Sequence, residues 1–215
     1  MRKTTTDDKN VELLKMISHL RDHIDIQRII GLNAVALRNS NISRALLGHI
    51  QMSALDSTAI YICKIFEASA RNELNSIPGI INSLARTPLS VKQKQDFSTF
   101  GRKYGNHLEP TEGKSYLDGT FGLFRGLHSA SLNQLKEFRD TIGAHSDSTA
   151  TIKVLPSHAE FESFFNFAYD FYALISRSIN NVGPAHIPGK VGAGLRKLIE
   201  TMGVKSAKFD FGPNE

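Results

Sequence analysis

The stretch LKEFRDTIGAHSD, residues 135–147, places Arg139 and Asp140 shortly before His145 and follows it with Ser146 and Asp147. An imidazole, with an ordinary pKa of about 6.5, moves protons near neutrality, and a planar, permanently charged guanidinium grips phosphate oxygens. One of each is the minimum kit for breaking a phosphodiester beside a 2′-hydroxyl. The imidazole transfers the proton, and the guanidinium meets the negative charge that builds on the phosphoryl group. Spacing sets a condition on that chemistry. Six residues of continuous helix advance by roughly 600°, which leaves Arg139 and His145 about 120° apart around the axis. Gly143 lets the helix bend or end between them, and a twofold partner would pair such residues across chains; both devices are expected to operate.

Spacing by itself identifies nothing. An Arg followed by a His at this distance arises by chance roughly once in a chain of this composition. Here it occurs as RALLGH (Arg44, His49), RKYGNH (Arg102, His107) and RDTIGAH (Arg139, His145). The first reads as a histidine at the edge of a core helix. The second straddles a helix end, where cations complement the carbonyl dipole and cap the last turn. Only the third has a polar residue directly after the Arg, a small apolar approach to the His and an acid beyond it. Its structural alternative is a helix that ends at a glycine, with Arg139 paired to Glu137 or Asp140 and His145 serving as a C-terminal cation.

EFRDTIGAHSD resembles the signature of HEPN domains, an α-helical superfamily whose pattern is Arg, a polar residue, several mostly apolar residues and then His. Ala before the His and Asp two residues after it are similar to the HEPN group associated with phage abortive infection. STAIYICKIFEAS followed by SIPGIINSL is similar to that group's second helix and the short helix after it, so the resemblance covers roughly residues 11–180. It implies a metal-independent endoribonuclease without a cofactor, in which a homodimer brings two motifs into one cleft. Carried over, Arg139 and His145 would be catalytic and Asp140 would be the polar orienting position. Some toxin members carry a Tyr two residues past the His for regulatory nucleotidylation; Asp147 stands there in this chain.

Other patterns carry less. His19 and His23 lie four apart on a helix, but Leu20 stands where a zinc-protease motif needs Glu, and no Glu-x-x-His pair exists for a di-iron bundle. GKVGAGL, residues 189–195, lacks both the terminal Gly-Lys-Ser/Thr of a phosphate loop and a preceding strand. The aromatic run Phe161, Phe164, Phe165, Phe167, Tyr169, Phe171 and Tyr172 reads as packing in the core or a dimer interface rather than base stacking. Cys63 is the one cysteine, which rules out an intrachain disulfide and a thiolate zinc cluster. With 215 residues, 40% of them hydrophobic, the chain can bury a sizeable core, and its net charge of +5 favours phosphate-bearing partners. The polar N-terminus does not resemble a signal peptide and nowhere do 18 apolar residues run together, so the expectation is a soluble cytoplasmic protein with no membrane partner.

The elements that must position these residues are helices. Val11, Leu14, Ile17, Leu20 and Ile24 recur at steps of three and four and predict a long first helix drifting towards Ile29 and Ile30. Ile42 through Phe66 predicts a second, broken near Ser53. NSIPGIINSLART predicts a short helix started near Ser76 and Pro78, and PLSVKQKQDFSTFGRKYG another that stops by Gly105. HLEPTEG is a loop. One long helix is expected from Ser115 to about Ile142, weakened by Gly119, Gly122 and Gly126, then TIKVLP as an extended link and a heavily buried helix through AEFESFFNFAYDFYALISRSI. The architecture expected is an all-α, HEPN-like bundle of four to six helices over residues 1–181, with a basic Gly/Pro-rich extension, residues 182–215, carrying one short helix from about Val191 to Met202. Phosphate-backbone contacts are expected from that tail and from the basic segment 86–114. The function expected is an RNA-cleaving toxin or phage-defence effector, acting as a homodimer and restrained by an antitoxin or regulatory partner protein. The alternative is a non-catalytic RNA-binding or protein-interaction module.

Overall fold

The computed structural model describes residues 5–39, 43–67, 75–144, 155–187, 190–201 and 204. Among them the elements are all helical: α1 (Thr6–Leu32), α2 (Ala34–Arg38), α3 (Arg44–Phe66), α4 (Ile77–Ser83), α5 (Val91–Lys103), α6 (Gly113–Leu127), α7 (Ser129–Ala144), α8 (His158–Ser178) and α9 (Lys190–Thr201). That exceeds the four to six expected for the bundle, because the short α2 was not anticipated and because the one helix anticipated from Ser115 to Ile142 is two. The other backbone pairing is a single antiparallel bridge between Pro88 and Glu112. No helix of the described residues is long and apolar enough to cross a membrane.

Side-chain caps start the helices where the sequence places Ser, Thr or an acid. Thr5, Ser90 and Ser157 each close a reciprocal capping box with the third helical residue. Ser76 caps α4 with Pro78 in its first turn, and both oxygens of Glu112 accept backbone N–H groups at the start of α6. Ile17, Leu20 and Ile24 of α1 are fully buried, as their spacing requires. At the helix's first turns the buried apolar residue is Leu13, while Val11 is 47% exposed.

α3 is continuous through Ser53, contrary to the expected break, and its N-terminal half is largely exposed. Burial begins at Ala54, where Gln27 of α1 donates to the Ala54 carbonyl and the Thr58 hydroxyl. The helix expected from Ser115 to Ile142 instead turns at His128. Its N–H bonds back to α6, its carbonyl accepts from Leu132 of α7, and its ring packs 4.5 Å from Phe124 and 5.2 Å from Phe164. Ring packing, a long-range term, decides this corner.

Phe66, Phe124, Phe164 and Phe167 form the centre of the core, with Phe124 and Phe167 stacked 4.1 Å apart and Phe164 edge-on to Phe66 at 5.2 Å. The aromatic run on α8 is thereby core, as expected; only Tyr169 of the run is partly buried, stacked on Phe165. Gly101 permits α6 to close on α5, since an added Cβ would collide with the Tyr116 ring and hydroxyl. Gly105, at φ +82°, ends α5 and turns the chain towards buried Asn106, whose amide donates to the Thr120 hydroxyl. At the other end of the chain, α9 lies on α1. Ile199 and Val204 are buried with Ile29, Ile30 and Leu37, and Asp22 accepts a bond from the backbone of Val191.

Candidate functional site

Arg139 sits on α7, on a face fixed by Leu135, which is fully buried, and by Leu132 and Phe138, which pack against the core from partly buried positions. One helical turn earlier Lys136 shares its side of the helix. Across from them α3 ends at Phe66 in the core and at Glu67, whose backbone has turned to an extended conformation at the C-cap. α6 contributes Arg125, which lies over the Phe121 ring at 5.7 Å. Between these elements opens a cleft of about 380 Å³ lined by Glu67, Arg125, Asn133, Lys136 and Arg139, with Cys63, Phe66 and Leu132 among its apolar walls.

Within it the Arg139 guanidinium bridges two carboxylates. Nη1 donates to Glu67 Oε2 at 2.6 Å, while Nη2 and Nε donate to Asp140 Oδ1 at 2.8 and 3.1 Å. The bond to Glu67, and next that to Asp140, hold the guanidinium above its ordinary pKa against a lowering by partial burial. Three of its five N–H groups are engaged among the described residues. One N–H on each terminal nitrogen is left over and can donate to an oxyanion. Burial pushes the Cys63 thiol up to about 11, so it stays protonated at neutral pH and is a poor nucleophile.

Of Glu137 and Asp140, the partners offered for Arg139 under the structural alternative, Asp140 is the one bonded. Glu67 is a further partner, which sequence reasoning missed. Seventy-two positions separate Glu67 from Arg139, and only the packing of α3 on α7 joins them. The one local signal was an acid directly after an apolar helix end. α7 stays helical through Gly143 to Ala144, so the glycine does not end it. His145, Asp147 and most of TIKVLP lie outside the described residues.

The other two Arg–His pairs fall elsewhere. Arg44 and His49 are both exposed on the solvated half of α3, not at the edge of the core. Arg102 and His107 line one shallow groove of about 390 Å³ with Lys94 and Ser98. Backbone N–H groups of Tyr104, Gly105 and Asn106 take the last carbonyls of α5 there.

Comparison with protein families matches residues 11–188 to the model described as HEPN_AbiU2: AbiU2. Neither curated proteins nor solved structures gave a match. The family match runs from within α1, at residue 11, through α8 and includes the Arg139 cleft and the RDTIGAH motif. The chain therefore belongs to the AbiU2 family of HEPN domains, an abortive-infection family.

Proposed function

We propose that the protein is a metal-independent endoribonuclease, a toxin or phage-defence effector that works as a homodimer in the cytoplasm. One observation carries this reading: the motif arginine opens into a cleft with two further cations and, among the described residues, keeps two N–H groups that can donate to an oxyanion. RNA would lie with its scissile phosphate against Arg139, oriented by Asp140. His145 would take the proton from the 2′-hydroxyl as its oxygen attacks phosphorus, and the bond from phosphorus to the 5′-oxygen would break. The departing oxygen would receive a proton from His145 of the partner subunit, which leaves a cyclic phosphate and a 5′-hydroxyl. An antitoxin or other regulatory protein would restrain the activity.

The pairing of Arg139 with Glu67 and Asp140 favours a second reading, a non-catalytic RNA-binding or protein-interaction module in which the arginine is a structural cation. The two separate in one assay. Purified protein should cut single-stranded RNA in EDTA, and Arg139→Ala or His145→Ala should stop it with the helical content intact. Variants that cut as well as the wild type would leave the module reading standing.

A further inference from the structure

The cleft's charge is unevenly shared. Glu67 and Asp140 both bond Arg139, so the motif cation is already matched by two anions before any ligand arrives. Arg125 and Lys136 line the same cleft, and among the described residues neither has a carboxylate within ion-pair distance. The positive potential that an RNA strand would meet therefore comes from the two residues outside the motif. Resting on the ribonuclease reading, we infer that Arg125 and Lys136 form a phosphate subsite that supplies most of the affinity for RNA, holding the backbone beside the scissile phosphate.

Geometry supports this division. Lys136 is one helical turn before Arg139, on the same side of α7, so a phosphate at each would belong to neighbouring stretches of one strand. Arg125 faces them from α6 with its guanidinium supported on the Phe121 ring, an arrangement that leaves its edge N–H groups for phosphate oxygens. Arg125 is also the residue common to this cleft and to a second groove of about 530 Å³, which reaches Pro78 and Asn82 of α4 and Ser129 of α7. A strand leaving the Arg139 cleft over Arg125 thus has a continuous path across α6. The second groove also holds Asp118, an acid that works against phosphate there. It suits a sugar or base rather than a second phosphate. Both cations are exposed, so neither supports the core.

Counterion release reads the subsite directly. Binding of a fluorescent single-stranded RNA is measured against salt with the full-length His145→Ala protein, and Arg125→Gln, Lys136→Gln, Arg139→Ala and Arg38→Gln are added singly; Arg38 is an exposed cation on α2, away from the cleft. Removing one cation that neutralises a phosphate should lower the slope of log K against log salt by about 0.7. Arg125→Gln and Lys136→Gln should each show that drop, Arg139→Ala less than half of it, and Arg38→Gln none. In the otherwise wild-type chain Arg125→Gln and Lys136→Gln should raise KM severalfold with kcat nearly kept, whereas Arg139→Ala should strike kcat. Slopes for the two cleft variants that match Arg38→Gln overturn the subsite and, if the wild type still cuts RNA, leave the ribonuclease intact. A wild-type protein that neither cuts nor binds RNA overturns both.

Discussion

Two arginines in this molecule each hold two carboxylates, and they do opposite jobs. Arg21 of α1 donates to Asp25, one turn along its own helix, and at 3.0 Å to Glu162 of α8. Its side chain is 17% exposed, Asp25 is 4% exposed, and the guanidinium lies over Phe165 at 5.1 Å. Burial works to lower its pKa, yet the two carboxylates prevail and raise it. Arg139 has the same kind of partners but stands at the wall of an open cleft, with its side chain 27% exposed and Glu67 39% exposed. A buried arginine with two acids clamps helices together, whereas an arginine with two acids beside open space is held in a fixed pose while part of its fork stays available. Counting ion pairs would not separate them. Solvent access and unused donors do.

The two arginines should part most visibly in activity. Arg139→Ala should lower RNA cleavage by about 10²- to 10³-fold, and His145→Ala by about 10²- to 10⁴-fold, in a single-turnover assay with folded protein. Arg21→Ala should leave the activity of each folded molecule near that of the wild type. Its effect is on stability: it strands Asp25 and Glu162 at the α1–α8 contact and should cost about 3–5 kcal/mol in urea unfolding. An Arg21→Ala protein as stable as the parent would place the two arginines in one class.

Acid sharpens the contrast next. His158, beside Glu162 in the same contact, has its pKa lowered chiefly by burial, against an opposing pull from Glu162; burial likewise lowers those of His23 and His128. A histidine whose folded pKa is depressed stabilises the fold above its ordinary value of about 6.5, and that stabilisation is lost as pH falls through it towards the folded value. The melting temperature should therefore drop from pH 7.5 to pH 5, and His158→Gln should flatten the drop. The smallest stability effect belongs to Glu67→Gln. Its ion pair is more than a third exposed on the acid side, so the cost should be under about 1 kcal/mol. Freed of one counter-anion, Arg139 should then steepen the salt dependence of RNA binding by about 0.7.

Much of the fold was legible because helix periodicity and caps are local. The Ile17–Leu20–Ile24 stripe, Ser76 with Pro78, and the stop at Gly105 each follow from residues within a turn or two. The corner at His128 was not legible. No proline marks it, and the glycines before it scatter along α6, so the position depends on Phe124 and on Phe164, 36 positions away. The same holds at the site. RDTIGAH announces Arg139 and its neighbour Asp140, and Lys136 lies one turn before them on α7, but Glu67 and Arg125 join the site only through packing of α3 and α6 against α7. Charge neutralisation at Arg139 is likewise a tertiary property.

The turn at His128 has a consequence for that cleft. Arg125 rides on one arm of the corner and Lys136 and Arg139 on the other, like the tips of a pair of calipers, with the histidine ring wedged on Phe124 and Phe164 as the stop that fixes their spread. On the proposed function, the gauge of strand admitted would be set by a hinge pin that carries none of the gripping charge, and swapping that ring for a smaller side chain would retune the aperture without removing a single cation.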